Sequence, residues 1–173
     1  MDIEITRDEI LEKLLKIYST YFDVEQCQQE FLVAKCQFHV HSEKYVLVKK
    51  AKLWEHDCNE FVYIFSMSHL TEEVYRKCEK YAYEQGMERI DPKPGHMYSY
   101  ITAVFLCDSF DAKAAKALKK CRIYKSFHFS FYGWMDFHTV LLARQGGRIL
   151  TNRSGRDNAK LMKNIFMKKK RSE

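Results

Sequence analysis

Glycine and proline are scarce in this sequence, whose 173 residues include six glycines and two prolines. Both prolines lie within residues 90–96, Ile-Asp-Pro-Lys-Pro-Gly-His, a stretch that neither a helix nor a central strand accommodates. The composition, 46% hydrophobic and 14% aromatic, also excludes a disordered chain. We therefore expect a single ordered α+β domain over residues 1–173, with a loop at residues 90–96.

Long apolar runs are absent too. No stretch approaches the roughly 20 apolar residues that a membrane-spanning helix requires, and the start, Met1-Asp2-Ile3-Glu4, is acidic where a secretory signal is basic. The six cysteines are scattered, and no C-x-x-C pair occurs among them, which indicates reduced, mostly buried thiols. These absences predict a cytoplasmic protein without a membrane partner.

Nucleotide-binding motifs are missing as well. There is no Gly-x-x-x-x-Gly-Lys loop and no Gly-x-Gly-x-x-Gly turn. A metal-dependent nuclease is disfavoured, because such an enzyme must bring two or more carboxylates together to hold a hard cation. The second half is poor in carboxylates, with only five before Glu173. The residues identify no cofactor.

Helices and strands are predicted from the spacing of apolar side chains. Thr6 and Glu9 have the capping-box pattern ahead of an amphipathic helix. Phe127, Phe129 and Phe131 alternate with polar residues, which predicts a strand with one aromatic face in the core. We expect further helices at 71–86, 111–120 and 154–166, the last capped by Ser154, and strands at 31–41, 45–54, 60–67, 98–107, 127–132, 137–144 and 148–151.

The order of these elements favours a mixed or mostly antiparallel sheet of about six to seven strands with helices packed on one face. The strands within residues 31–67 have the spacing of a three-stranded meander. The order helix, three strands, helix recurs on both sides of the loop at 90–96, with an extra strand leading the second half. This recurrence suggests two similar αβββα halves, although the identity between them is slight.

Charge is distributed unevenly along the chain, whose net charge is +6. Residues 1–90 contain 12 lysines and arginines against 17 acids, a net of −5, whereas residues 91–173 contain 17 against 6, a net of +11. Clustered positive charge attracts polyanions by releasing condensed counterions, without sequence-specific contacts. The basic half therefore predicts an anionic partner, either nucleic acid or a phosphorylated ligand.

The candidate anion-binding residues lie on the third helix and its exit, and around the last hairpin and helix start: Lys119, Lys120, Arg122, Arg148, Arg153 and Arg156. The segment from Arg153 to Arg156 is the sharpest candidate, because a helix N-terminus beside two guanidinium groups suits a phosphate. Two simpler explanations stay open. The cations are solvated backs of helices, or the acidic half neutralises them within the molecule or a symmetry mate.

Histidines carry an alternative hypothesis. His39 and His41 lie two apart on a predicted strand and so point to one side, while His128 and His138 occupy polar positions in the second half. If the halves share one sheet, the four side chains converge in a cleft of the kind that holds zinc or iron. An antiparallel sheet with a polar, solvated face explains the same pattern.

Three functions are therefore weighed. The preferred one is a non-catalytic module that binds an anionic partner through its basic half, because the charge imbalance is the stronger signal. The second is a metal-dependent enzyme with a histidine-lined cleft. The third is a self-associating structural protein, a homo-oligomer in which the opposite charges of the halves complement each other.

Overall fold

The computed structural model describes residues 5–38 and 57–167. Its helices and strands are α1 (Arg7–Ser19), β1 (Phe22–Gln26), β2 (Leu32–Phe38), β3 (Asp57–Leu70), α2 (Glu72–Arg89), β4 (His96–Phe110), α3 (Ala112–Lys120), β5 (Tyr124–Ser126), β6 (Trp134–Ala143), β7 (Arg148–Thr151) and α4 (Arg156–Leu161). The described strands form one sheet in the order β1-β2-β3-β4-β6-β5, and β7 also pairs with β6.

The sheet is mixed, which confirms the predicted α+β class. At its centre β3, β4 and β6 run parallel. Parallel neighbours need a crossover connection, and α2 and α3 provide the two crossovers. The strands outside this centre, β1 and β2 on one side and β5 and β7 on the other, are antiparallel to their neighbours.

The helices cover both faces of the sheet, so the expectation of helices on one face is wrong. One cluster packs α2 and α3 against side chains such as Ala103 and Phe105 of β4. The other packs α1 and the C-terminal segment against the alternate side chains, such as Val104 and Leu106. Both crossover helices lie on one face, so the opposite face remains for the N- and C-terminal segments.

Local signals predicted several elements correctly. Thr6 and Glu9 form the expected capping box of α1, β4 is the expected buried central strand, and β6 and β7 form the expected hairpin. Gly86 does not end α2, which continues to Arg89. It is a packing residue instead, because a Cβ there would lie 2.6 Å from Cδ1 of Ile101 on β4.

The predicted strand at 127–132 is wrong. His128, Phe129 and Ser130 have φ values of 49°, 53° and 70°, so the chain makes a left-handed turn here. Phe127 is buried in the core as expected. Phe129 and Phe131 are not, since they are 90% and 78% exposed. Left-handed backbone is costly for residues other than glycine, and alternation of apolar and polar residues carries no sign of it.

Other differences concern the ends of the chain and the order of strands. Residues 22–26, where no strand was predicted, form β1. The predicted strand at 45–54 lies outside the described residues, and β2 pairs directly with β3. The last helix is shorter than predicted and ends at Leu161. In the described residues the two halves do not repeat one strand order, so duplication stays a hypothesis.

Candidate anion-binding surface

A shallow groove runs between α3 and the edge strand β7. The helix packs Ala114, Ala117 and Leu118 on the sheet, which leaves its lysines on the outer side. The groove has a volume of about 350 Å³, which is within the range of small-ligand sites. Its lining residues are Phe110, Ala112, Ala115, Lys116, Lys119, Lys120, Arg148 and Leu150. Three of the predicted anion contacts therefore meet in one groove.

Arg148 forms the β7 side of this groove. Its guanidinium carbon lies 5.0 Å from the centre of the Phe110 ring, a cation–π contact that orients the side chain. Such a contact leaves the N–H groups at the rim of the guanidinium free to donate to an anion. The pairing of Arg148 with Ala143 in the β6–β7 hairpin fixes its backbone.

A buried asparagine connects the other predicted arginines to the end of α3. The Asn152 Nδ2 donates to the carbonyl oxygens of Cys121 (3.1 Å) and Phe137 (2.8 Å). Its Oδ1 accepts from the backbone N–H groups of Thr139 (3.1 Å) and Gly155 (2.9 Å). Arg122 directly follows Cys121, and Arg153 directly follows Asn152. This network therefore brings Arg122 close to the turn that contains Arg153 and Arg156.

The proposed capping of the last helix by Ser154 is wrong. The N-cap of α4 is Gly155, which makes no side-chain capping bond, and the helix has only six residues. Gly155 is required because a Cβ would lie 2.8 Å from Asn152 Oδ1 and 2.9 Å from the Thr139 carbonyl oxygen. A phosphate site at this helix N-terminus is therefore not supported, and the arginines are considered for their charge alone.

The arrangement of charges is the main electrostatic feature of this region. We use the name cationic surface for seven exposed side chains, none of which forms a salt bridge within the described part of the chain: Lys116, Lys119, Lys120, Arg122, Arg148, Arg153 and Arg156. Most described carboxylates after residue 90 contact other basic groups: Asp91 contacts Lys93, Asp108 contacts Arg7 and Arg144, Asp111 contacts His69, and Asp157 contacts Lys160. Asp136 lies 3.8 Å from His138, whose pKa is lowered by burial. Most acids of the basic half are thus occupied elsewhere.

Contacts between the two halves do not neutralise the cationic surface either. The salt bridges that join the halves, among the residues described, are Arg7–Asp108 and His69–Asp111. In both, the acid belongs to the basic half, so neither bridge uses a cation of the cationic surface. The Arg7–Asp108 bridge removes negative charge from the basic half and increases its local excess of positive charge.

A family model described as Domain of unknown function (DUF8052) matches residues 6–164. The chain belongs to this family. The matched range includes every residue of the cationic surface, so that surface is part of the DUF8052 domain. No curated protein matches the chain. Among the described helices, none is both long and apolar enough to cross a membrane.

The histidines of the alternative hypothesis are only partly described in this DUF8052 domain. His39 and His41 lie outside the described residues. His128 is exposed in the left-handed turn and stacks on Tyr132, 4.7 Å between ring centres. His138 is buried on β6, where burial lowers its pKa despite the nearby charges of Asp136 and Asp157.

His128 and His138 share no ring contact in the structure. Over the described ranges, no group of three histidine, cysteine, aspartate or glutamate side chains is placed to hold a metal ion. A metal site that also uses His39 and His41 stays a prediction, and elemental analysis of the purified protein tests it.

Sequence reasoning missed Lys116, Phe110 and Asn152 as parts of this site. Lys116 follows from helical spacing, because residues three and four apart share a face and Lys119 and Lys120 were already candidates. Phe110 and Asn152 had no local signal. Their roles depend on contacts with Arg148 and with Cys121, Phe137 and Thr139, which only the folded sheet brings together.

Proposed function

We propose that this protein is a non-catalytic module that binds an anionic partner through the cationic surface, and that the partner is nucleic acid. One observation carries the proposal. The exposed cations of α3, β7 and the turn after β7 have no acidic partner among the described residues, while the described carboxylates of the basic half other than Asp136 contact other basic groups.

Unpaired, exposed cations favour phosphate groups for two reasons. A polyanion releases condensed counterions when lysine and arginine neutralise its phosphates, and that release supplies most of the affinity for nucleic acid without specificity. Arginine adds bidentate hydrogen bonds to phosphate oxygens. Lys119, Lys120 and Arg148 supply both kinds of contact around one groove.

The shape of the surface favours an extended polyanion over a single enclosed phosphate. The groove is open to solvent, and Arg122, Arg153 and Arg156 lie beyond it, near the far end of α3. A small phosphorylated ligand engages few of these side chains at once. A nucleic-acid backbone, with a phosphate at every nucleotide, engages several together.

A salt titration tests the proposal. Fluorescence anisotropy of labelled single-stranded and duplex oligonucleotides should show binding at about 50 mM salt that weakens linearly on a plot of log K against log salt concentration. Absence of binding to both probes at that salt concentration contradicts the proposal. Unlabelled ATP that displaces the probe as effectively as an unlabelled oligonucleotide would instead favour a small phosphorylated ligand.

A further inference from the structure

On the face of the sheet opposite α2 and α3, the side chains change from apolar to polar towards the start of the parallel strands. Pairing places Glu60 of β3, Tyr100 of β4 and Asp136 of β6 in one row across the sheet. The next row inwards contains Thr102 and His138, and beyond it the same face is apolar, with Val104 and Val140 in the core. The polar row therefore lies where the core ends.

Aromatic rings cover this end of the face. The Tyr98 and Tyr100 rings stack with their centres 4.6 Å apart and their planes at 28°. Trp134 continues the stack from Tyr98 at 6.0 Å, and His138 continues it from Tyr100 at 4.6 Å. Tyr98, Tyr100 and Trp134 are each only half-buried. Among the described residues, Trp134 contacts no aromatic ring other than Tyr98, and part of its side chain is exposed to solvent.

Two carboxylates, those of Glu60 and Asp136, flank the stack. Glu60 accepts a 3.2 Å hydrogen bond from Thr102 Oγ1, and within the residues described neither Glu60 nor Asp136 forms a salt bridge with lysine or arginine. Among the described residues, the basic group in contact with Asp136 is His138, at 3.8 Å. Burial lowers the pKa of His138 and so keeps it neutral at pH 7.

The pKa values of Tyr100 and Glu60 are both raised in this environment. The pKa of Tyr100 is raised, first by burial and then by the negative charges of Asp136 and Glu60. Burial also raises the pKa of Glu60. Burial is the first cause of both shifts, and the Tyr100 shift also reflects the negative charges beside it, although the chain as a whole has a positive net charge.

An unpartnered hydroxyl lies under the same region. Tyr18 of α1 is fully buried, and its hydroxyl has no hydrogen-bond partner among the described residues. Burial raises its pKa, and the charge of Glu60 raises it further. Buried polar atoms are satisfied in most proteins, and an exception calls for an explanation such as an ordered water or an ion.

We propose that this aromatic face, formed by Glu60, Tyr98, Tyr100, Trp134, Asp136 and His138, binds a small organic ammonium ion. The ammonium group lies over the indole of Trp134 and beside the carboxylates, where cation–π attraction and ion pairing act together. An anionic ligand is repelled by Glu60 and Asp136. A metal ion lacks a third ligand among the described side chains.

Choline and its neutral isostere 3,3-dimethylbutan-1-ol test the proposal, because they differ mainly in charge. The chain has two tryptophans, Trp54 and Trp134, so the Trp54→Phe variant reports on Trp134 by fluorescence. We expect a saturable response to choline with a Kd at least about tenfold lower than for the isostere. Equal affinities, or no response to choline on the order of 10 mM, overturn the proposal.

Two substitutions on the same background locate the site. Asp136→Asn should weaken choline binding by about tenfold and leave the weak binding of the isostere unchanged. Asp91→Asn removes an exposed carboxylate outside the face and should change neither. If circular dichroism shows that Asp136→Asn fails to fold, Glu60→Gln serves in its place with the same expectation. Unchanged choline affinity in the folded variant contradicts the assignment.

Discussion

The cationic surface and the aromatic face belong largely to the same basic half, yet their local charges are opposite. On the cationic surface, seven exposed bases lack acidic partners in the described part of the chain. On the aromatic face, Glu60 and Asp136 have no lysine or arginine partner in that same part, and burial lowers the pKa of His138. Net charge over a long segment therefore does not decide what each surface binds. The pairing of individual side chains decides it.

The largest expected effect is a loss of stability when the hydrogen bonds of Asn152, which connect the end of α3 to the turn after β7, are removed. Asn152→Ala removes four hydrogen bonds from buried backbone groups and should lower the free energy of unfolding by roughly 3–5 kcal/mol. Urea denaturation measures the change. Asn164→Ala, at an exposed position, should stay within about 0.5 kcal/mol of the parent. Equal losses in the two variants contradict the supporting role of Asn152.

The next prediction separates the two surfaces. Arg148→Glu should weaken oligonucleotide binding at least about tenfold near 0.1 M salt, because one phosphate contact is lost and a like charge is added. Lys80→Glu makes the same charge change on α2 and should have a much smaller effect, since Lys80 lies outside the cationic surface and already pairs with Glu84. Choline binding should be unchanged in both variants. Similar losses of oligonucleotide affinity in the two variants would show that only net charge matters.

A pH-dependent prediction concerns Glu60. Its folded-state pKa is raised by burial, so the native state holds this proton more tightly than the unfolded chain does. Stability therefore falls as pH rises above about 4.3, the usual pKa of glutamate. Glu60→Gln keeps an acceptor for Thr102 and should be more stable than the parent at pH 8, with the difference vanishing towards pH 4.

Thermal unfolding across this pH range measures the Glu60 effect, and Glu88→Gln, at an exposed position of α2, controls for the lost charge. A bound ammonium ion stabilises ionised Glu60, so choline should raise the Tm of the parent more at pH 8 than at pH 5. A parent protein that is more stable than Glu60→Gln at pH 8 would contradict this account of the aromatic face.

The smallest effect concerns the left-handed turn at residues 128–130, which we assign to neither surface. Ser130→Gly should stabilise the fold by up to about 1 kcal/mol, because Ser130 has a φ of 70° that glycine adopts at no steric cost. Ser126→Gly, in β5, should destabilise it by a similar amount. Both variants should bind oligonucleotide and choline as the parent does, and a loss of either activity would place the turn in a binding site.

Local signals predicted much of the fold. Thr6 and Glu9 marked the start of α1, the two glycines after Gln145 marked the β6–β7 hairpin, and continuous apolar sequence marked the central strand β4. The same kind of reasoning failed at residues 127–132. Alternating phenylalanines are typical of a strand, but three residues with positive φ form a turn.

The sites were less predictable, because they depend on contacts between distant residues. Helical spacing sufficed for the lysines of α3, while the position of Arg148 depends on the packing of β7 beside Phe110. The row of Glu60, Tyr100 and Asp136 depends on the registers between three parallel strands. A single sequence does not specify such registers when crossovers separate the strands. The net charge of each half therefore indicated the residues of the cationic surface, but it gave no sign of the carboxylates and aromatic rings of the aromatic face.

The most direct test of the central claim is the salt dependence of oligonucleotide binding in matched double variants. In Lys120→Gln/Arg148→Gln, loss of two phosphate contacts should reduce the slope of log K against log salt by about 1.8 on duplex DNA. Lys16→Gln/Lys80→Gln has the same net charge and should keep the slope of the parent. Identical slopes in the parent and both double variants would contradict the claim that unpaired cations of α3 and β7 contact the phosphates.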